Sequence, residues 1–123
     1  MNAAANSSEI TVGPLTQTDL VRYQGASGDF NAIHHDGVAA AERGQPVISP
    51  GMFQAGLIDT WIAQFSGGAT VTSLVVRFLA PACIGDTLTI SGFSAGDEPG
   101  VVEVSCSNEA GTVLVTGRAR LAW

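Results

Sequence analysis

Acid–base chemistry is concentrated in one stretch of this chain, Ser27-Gly28-Asp29-Phe30-Asn31-Ala32-Ile33-His34-His35-Asp36, which holds both of its histidines and two carboxylates. A loop carrying an aspartate and, five residues on, a histidine can turn both side chains toward one water molecule. The aspartate class is ionised at neutral pH, and imidazole gives or takes a proton there. General acid–base work of this kind contributes typically about 10²- to 10⁴-fold in rate. Further along, Ser49-Pro50-Gly51 opens an apolar run that ends near Phe65. The first turn of a helix has backbone N–H groups without partners and a positive dipole end, which suits an anionic oxygen. Pro50 has no N–H, so the donor is expected from Gly51 or Met52, and glycine admits a ligand without a Cβ in its way. Taken singly, Asp29 and Asn31 read more readily as turn formers bonding their own backbone, and His34 as a hydrogen-bonded core residue. Their combination ahead of a glycine-started helix points to a small-molecule pocket.

These groups need elements to hold them. Thr16 followed by Asp19 is a helix N-cap signature, with Leu20, Tyr23 and Gln24 at helical spacing and glycines from Gly25 to Gly28 ending the helix. Asp36 is placed to cap a short helix over 37–42, closed by Gly44. Ser49 suits an N-cap and Pro50 the first position of a longer helix. Met52, Ala55, Leu57, Ile58, Trp61, Ile62 and Phe65 cover most of its circumference, and a helix apolar nearly all round is a buried one. It would be about 24 Å long, with Gly67-Gly68 as its stop. Residues 9–12 alternate weakly, as an edge strand does. After the helix the period changes: 70–79, 87–95, 101–108 and 112–122 are rich in Val, Ile, Thr and Leu and are separated by Gly/Pro/Asp turn signals. Four strands in series predict an antiparallel meander. The class is α+β, an antiparallel sheet wrapped around a long central helix, with 1–8 a flexible terminus and 9–123 a single domain.

Composition narrows the function. The chain has 123 residues, 46% hydrophobic and 13% charged, enough for one core and for some surface buried in a partner. The net charge of −6 comes with five arginines and no lysine. That lacks the basic field a nucleic acid requires, and it excludes Schiff-base chemistry on lysine. Cys83 and Cys106 show no CxxC spacing, so the expectation is two buried reduced thiols and no structural metal. Residues 1–8 carry no signal-peptide features. The run 52–65 is shorter than the roughly 20 residues of a membrane span, and Asp59 and Gln64 interrupt it. A cytoplasmic location without membrane contact is expected.

The pattern Tyr23-x-x-x-Ser27-Gly28-Asp29-x-Asn31-x-x-His34-x-Asp36, with Gly51 at a helix start, resembles the MaoC-like hydratases, also called hydratase 2 or (R)-specific enoyl-thioester hydratases. Arg77-Phe78-x-x-Pro81-x-x-x-Gly85-Asp86 resembles a strand and turn of the same family, so the likeness spans almost the whole chain. It implies a hot-dog fold and interconversion of trans-2-enoyl-CoA and (R)-3-hydroxyacyl-CoA thioesters. Asp29 and His34 would be catalytic, Gly51 would supply the oxyanion hole, and Asn31 and Ser27 would support them. No metal or redox cofactor is implied; coenzyme A or acyl carrier protein arrives as part of the substrate. Ala32 departs from the proline usual after the motif asparagine, and Ser49-Pro50 from the usual Ala-His or Val-His. The His34-His35-Asp36 run is also similar to small MaoC-like subunits of actinobacterial steroid side-chain degradation, which work with a second related chain. A homodimer or a heteromer with a second MaoC-like chain is therefore expected. Two other readings stand beside this one: a hot-dog thioesterase, and a mainly structural subunit, against which the presence of both Asp29 and His34 counts. His35 is read as a solvated neighbour. Arg118 and Arg120, on one face of the last strand, are read as a solvated or interface face, or as a contact for coenzyme A phosphates.

Overall fold

The fold is seen in a computed structural model that describes residues 8–123. The flexible terminus expected over 1–8 falls, apart from Ser8, outside the described residues. The first helix, α1, spans Gln17–Ser27. Thr16 Oγ1 accepts the Asp19 N–H while the Asp19 carboxylate accepts the Thr16 N–H, closing a capping box. Those Thr16 bonds hold the Asp19 carboxyl below its ordinary value of 3.8. The stabilisation from this cap is therefore present above that pH and fades as pH falls below it. A single 3-10 turn, Ala32–His34, leads to α2, Gly37–Glu42, whose first N–H groups (Val38 and Ala39) are met by the Asp36 carboxylate. The long helix α3 runs over Gly51–Ser66 and stops where Gly67, at φ 71°, returns its N–H to the Ala63 carbonyl.

Five strands follow the predicted runs closely: β1 Ile10–Val12, β2 Thr70–Phe78, β3 Leu88–Ser94, β4 Val101–Ser107 and β5 Val113–Ala122. They form one antiparallel sheet in the order β1-β3-β4-β5-β2. The expected four-strand meander holds only for β3-β4-β5. Strand β2 pairs instead with β5, setting Leu74 opposite Ala119 and Val76 opposite Gly117. The segment after β2 crosses the end of the sheet rather than turning back. Its Leu79 and Ala80 N–H groups bond Leu114 O, Ile84 bonds Val47 O, and Gly85 bonds Leu15 O.

Alternation sends Ile90, Val102, Val104, Val115 and Ala119 inward against Ile58, Trp61 and Ile62 of α3. Each Val or Ile among them, fully buried, contributes about 1.5–3 kcal/mol. Trp61 stacks on Phe65 at 4.6 Å between ring centroids. The sheet covers one side of α3 only. Met52, Gly56 and Ala63 lie exposed along the other, so the all-round burial expected of this helix is met by its own chain on the sheet-facing side alone.

Cys106 lies in this core, and burial pushes its thiol up to about 11. Cys83 is only half-buried, contrary to expectation, and its thiol is raised first by burial and then by the Asp86 carboxylate. An aromatic disulfide reagent applied to native protein near pH 8 is expected to label Cys83 alone, with Cys106 reacting only in denaturant. Equal rates for both thiols would contradict this packing.

Candidate active site

The loop that carries Asp29 and His34 is assembled by short-range bonds from its own side chains. Gly28 adopts φ 79°, and its N–H closes α1 on Gln24 O. Ser27 Oγ then accepts the Asp29 N–H at 3.1 Å, and Asp29 Oδ1 accepts the Asn31 N–H at 3.2 Å. Asn31 Oδ1 accepts the Ile33 N–H at 3.3 Å and so starts the 3-10 turn. The turn-forming tendency of these residues thus builds the loop and leaves Asp29 Oδ2 uncommitted. That oxygen lies 3.8 Å from His34 Nε2. On the other side of the ring, Nδ1 is 2.7 Å from the Ile48 carbonyl oxygen. A carbonyl only accepts, so Nδ1 carries the proton and the neutral ring presents a lone pair at Nε2. The His34 side chain is 9% exposed and that of Asp29 52%, so the pair spans the boundary between cavity and solvent.

Across from the loop, α3 begins one residue later than expected. Pro50, in an extended conformation at ψ 134°, is the cap residue and Gly51 the first helical residue; no side chain caps this end. Ser49 therefore stands too early to reach the first-turn N–H groups. Its hydroxyl lies 3.0 Å from Gln54 Oε1 and 3.1 Å from Pro50 O instead. The Phe53 N–H returns to Pro50 O, while the N–H groups of Gly51 and Met52 have no acceptor among the described residues. A Cβ on Gly51 would sit 2.9 Å from Phe78 Cε1, so the absence of a side chain keeps this approach open.

His34 and Gly51 line one cavity of about 360 Å³, together with Ser49, Gln54 and the apolar wall of Phe78, Leu79 and Pro81. Asp29 stands beside it through His34, whereas Ser27 and Asn31 shape the loop. A larger open groove of about 520 Å³ runs along β3 and β4, bordered by Phe93, Glu103 and Thr116, and contains neither histidine. The smaller cavity is where the His34 ring, with Asp29 beside it, faces the free amide donors of α3.

Two glutamines escaped the sequence reading. Gln24 is 1% exposed. Its Nε2 donates to the carbonyls of Asp29 (2.9 Å) and Asn31 (3.2 Å), and its Oε1 accepts from His35 Nδ1 at 3.0 Å. His35 is therefore half-buried against α1 instead of solvated. The available signal was Gln24 lying one helical turn beyond Leu20, on the buried face. Replacing it by leucine strands two loop carbonyls, at about 1–3 kcal/mol for such losses. Gln24→Leu is expected to lower both the denaturant midpoint and kcat; unchanged values of both would refute a positioning role. Arg118 and Arg120 pair with Glu98 and Glu103. Their register partners place them on the sheet face away from α3, so they do not approach the cavity.

A long helix laid against a five-stranded antiparallel sheet of this order defines a hot-dog domain. Over residues 5–113 the sequence matches the MaoC like domain, and the chain belongs to that family. Among solved structures it is similar to the ChsH1–ChsH2 complex from Mycobacterium tuberculosis, at 25% identity and TM-score 0.82, covering 94% of this chain and 92% of that one. It is similar also to the R-hydratase PhaJ1 from Pseudomonas aeruginosa, at 28% identity and TM-score 0.81, covering 94% and 77%. The (R)-hydratase of A. caviae involved in PHA biosynthesis shares the fold at 22% identity and TM-score 0.81, covering 94% and 92%. No curated protein sequence matches. Among the described residues no helix is long and apolar enough to cross a membrane.

Proposed function

We propose that this chain is a hydratase/dehydratase interconverting trans-2-enoyl-CoA and (R)-3-hydroxyacyl-CoA thioesters. The observation that carries the reading is Asp29 Oδ2 at 3.8 Å from His34 Nε2, at a cavity that also takes in the uncapped start of α3. Membership of the MaoC-like family and similarity to an R-hydratase support it.

In the hydration direction one water donates hydrogen bonds to Asp29 Oδ2 and His34 Nε2, each at an ordinary distance of about 2.8 Å. Its proton passes to Nε2 as its oxygen bonds to Cβ. The π electrons move toward the thioester carbonyl, whose developing negative charge is met by the Gly51 N–H. The imidazolium, still bonded through Nδ1–H to Ile48 O, then returns the proton to Cα and regenerates the neutral ring. Water and proton thus reach the double bond from one side. Asn31 and Ser27 hold the carboxylate in place, and the steps draw on no metal or redox cofactor. Coenzyme A or acyl carrier protein is proposed as the handle of the substrate, and the cytoplasm as the place of the reaction.

The edge strand β2 leaves Val75 67% and Phe78 50% exposed, with Leu79 54% exposed just beyond it. A second hot-dog chain, identical or related, is proposed to cover this edge and so complete the cavity wall at Phe78. Light scattering of the isolated chain, then of mixtures with related chains, tests that part. The activity is tested by incubating the protein with crotonyl-CoA and butyryl-CoA. Loss of enoyl absorbance with the first and no thiol release from the second is expected. Thiol release from butyryl-CoA would replace the reading with a thioesterase, and inactivity of the chain in every assembly would make it a structural subunit.

A further inference from the structure

The second glutamine lacks a role in the mechanism above, although it lies within reach of the same chemistry. Gln54 stands in the first turn of α3, 1% exposed, on the wall of the cavity shared by His34 and Gly51. Side chains on a helix lean toward its N-terminus, so this carboxamide folds back over the turn that offers the free amide donors. Its orientation is set by Ser49, which is itself 4% exposed and has its backbone N–H tied to Ala82 O at 2.8 Å. The hydroxyl of Ser49 has one proton. The hydroxyl lies 3.0 Å from Gln54 Oε1 and 3.1 Å from Pro50 O, and both of these oxygens only accept, so the carboxamide turns its oxygen toward Ser49.

With Oε1 engaged, Gln54 Nε2 has two N–H donors and no acceptor among the described residues. No fully buried side-chain polar atom lacks a partner among the described residues, so Nε2 keeps some exposure, on the cavity beside Phe78 and Leu79, where a passing alkyl chain would leave it without an acceptor. A simple enoyl thioester offers one strong acceptor, the carbonyl oxygen, and that oxygen has two lone pairs. Resting on the hydratase reading, we infer that Gln54 Nε2 is the second oxyanion donor, holding the same thioester oxygen as the Gly51 N–H. Two donors fixed before reaction, one by the helix and one by Ser49, need no rearrangement when the enolate forms.

The test uses Gln54→Leu, Gln54→Glu and Ser49→Ala in the full chain, or in its complex with a partner if activity requires one. With crotonyl-CoA, Gln54→Leu and Gln54→Glu are expected to lower kcat by about 10²- to 10³-fold, the usual loss for one oxyanion donor. KM should change only a few-fold, and Ser49→Ala should lie between the wild type and these variants. Difference infrared spectra of bound, carbonyl-labelled butyryl-CoA read the contact without turnover. The carbonyl stretch should fall on binding to the wild type and move part of the way back toward its solution value in Gln54→Leu. Gln54→Glu guards against a folding failure of the leucine variant. Coincident infrared bands for wild type and variants, or a loss confined to KM, would overturn the inference while leaving the hydratase reading standing. If the wild type hydrates no enoyl-CoA, that reading falls, and the infrared shift alone decides whether Gln54 touches the carbonyl.

Discussion

Asp29→Asn and His34→Ala are each expected to lower hydration kcat by about 10²- to 10⁴-fold, the range for loss of a positioned acid or base. The two substitutions fail differently, which makes the pair informative. Asp29→Asn keeps an oxygen for the Asn31 N–H, and the side chain is half-exposed, so stability should stay within about 0.5 kcal/mol of the wild type. Its rate loss then reports the missing carboxylate charge rather than a disordered loop. His34→Ala removes the bond to Ile48 O as well, so a cost of about 1–3 kcal/mol accompanies its rate loss. Because both side chains would act on one water, the double variant should be little slower than the worse single one. Steady-state kinetics paired with denaturant melts check all three variants. Near-normal rates in folded Asp29→Asn and His34→Ala protein would remove the mechanism.

The largest expected effect on stability belongs to Gly92. This residue faces α3 opposite Val104, and Trp61 fills the space a side chain would take. A Cβ there would fall on the Glu103 carbonyl oxygen and 2.9 Å from Trp61 Cη2. Neither the backbone of β4 nor a stacked, fully buried indole has room to yield. Gly92→Ala is expected to cost about 3 kcal/mol, the upper part of the range for overpacked cores. Gly56, on the exposed side of α3, is the control, because a methyl group added there would meet nothing within 4 Å. Gly56→Ala should stabilise by up to about 1 kcal/mol through helix propensity. Denaturant midpoints of the two variants moving together, in either direction, would contradict this account of the core.

What could be read from the chain was what is decided locally. The capping box at Thr16 and Asp19, the Asp36 cap and the Gly67 stop are contacts between near neighbours, and each appears where its residues predict. The links between β3, β4 and β5 are short turns with Gly and Asp signals, so their order was also legible. The place of β2 was not, because alternating Val and Thr says which residues face inward but not which strand lies alongside. Its pairing with β5 is decided by bonds from Leu79, Ile84 and Gly85 to parts of the chain distant in sequence. At the site, Asp29, His34 and Gly51 were marked by type and spacing. Gln24 and Gln54 were missed because glutamine ordinarily lies in solvent, and only the packed structure reveals a buried carboxamide. Ser49 does not cap α3 for a subtler reason: the extended Pro50 delays the helix by one residue and turns the hydroxyl toward Gln54.

The central claim is that one carboxylate and one imidazole hold a single water opposite the amide donors of α3. A crystal structure with bound 3-hydroxybutyryl-CoA tests it most directly. The account predicts the β-hydroxyl oxygen within hydrogen-bond distance of both Asp29 Oδ2 and His34 Nε2, with the thioester oxygen on the Gly51 N–H. A ligand seated in the groove along β3 and β4, or one whose hydroxyl touches neither side chain, would contradict it.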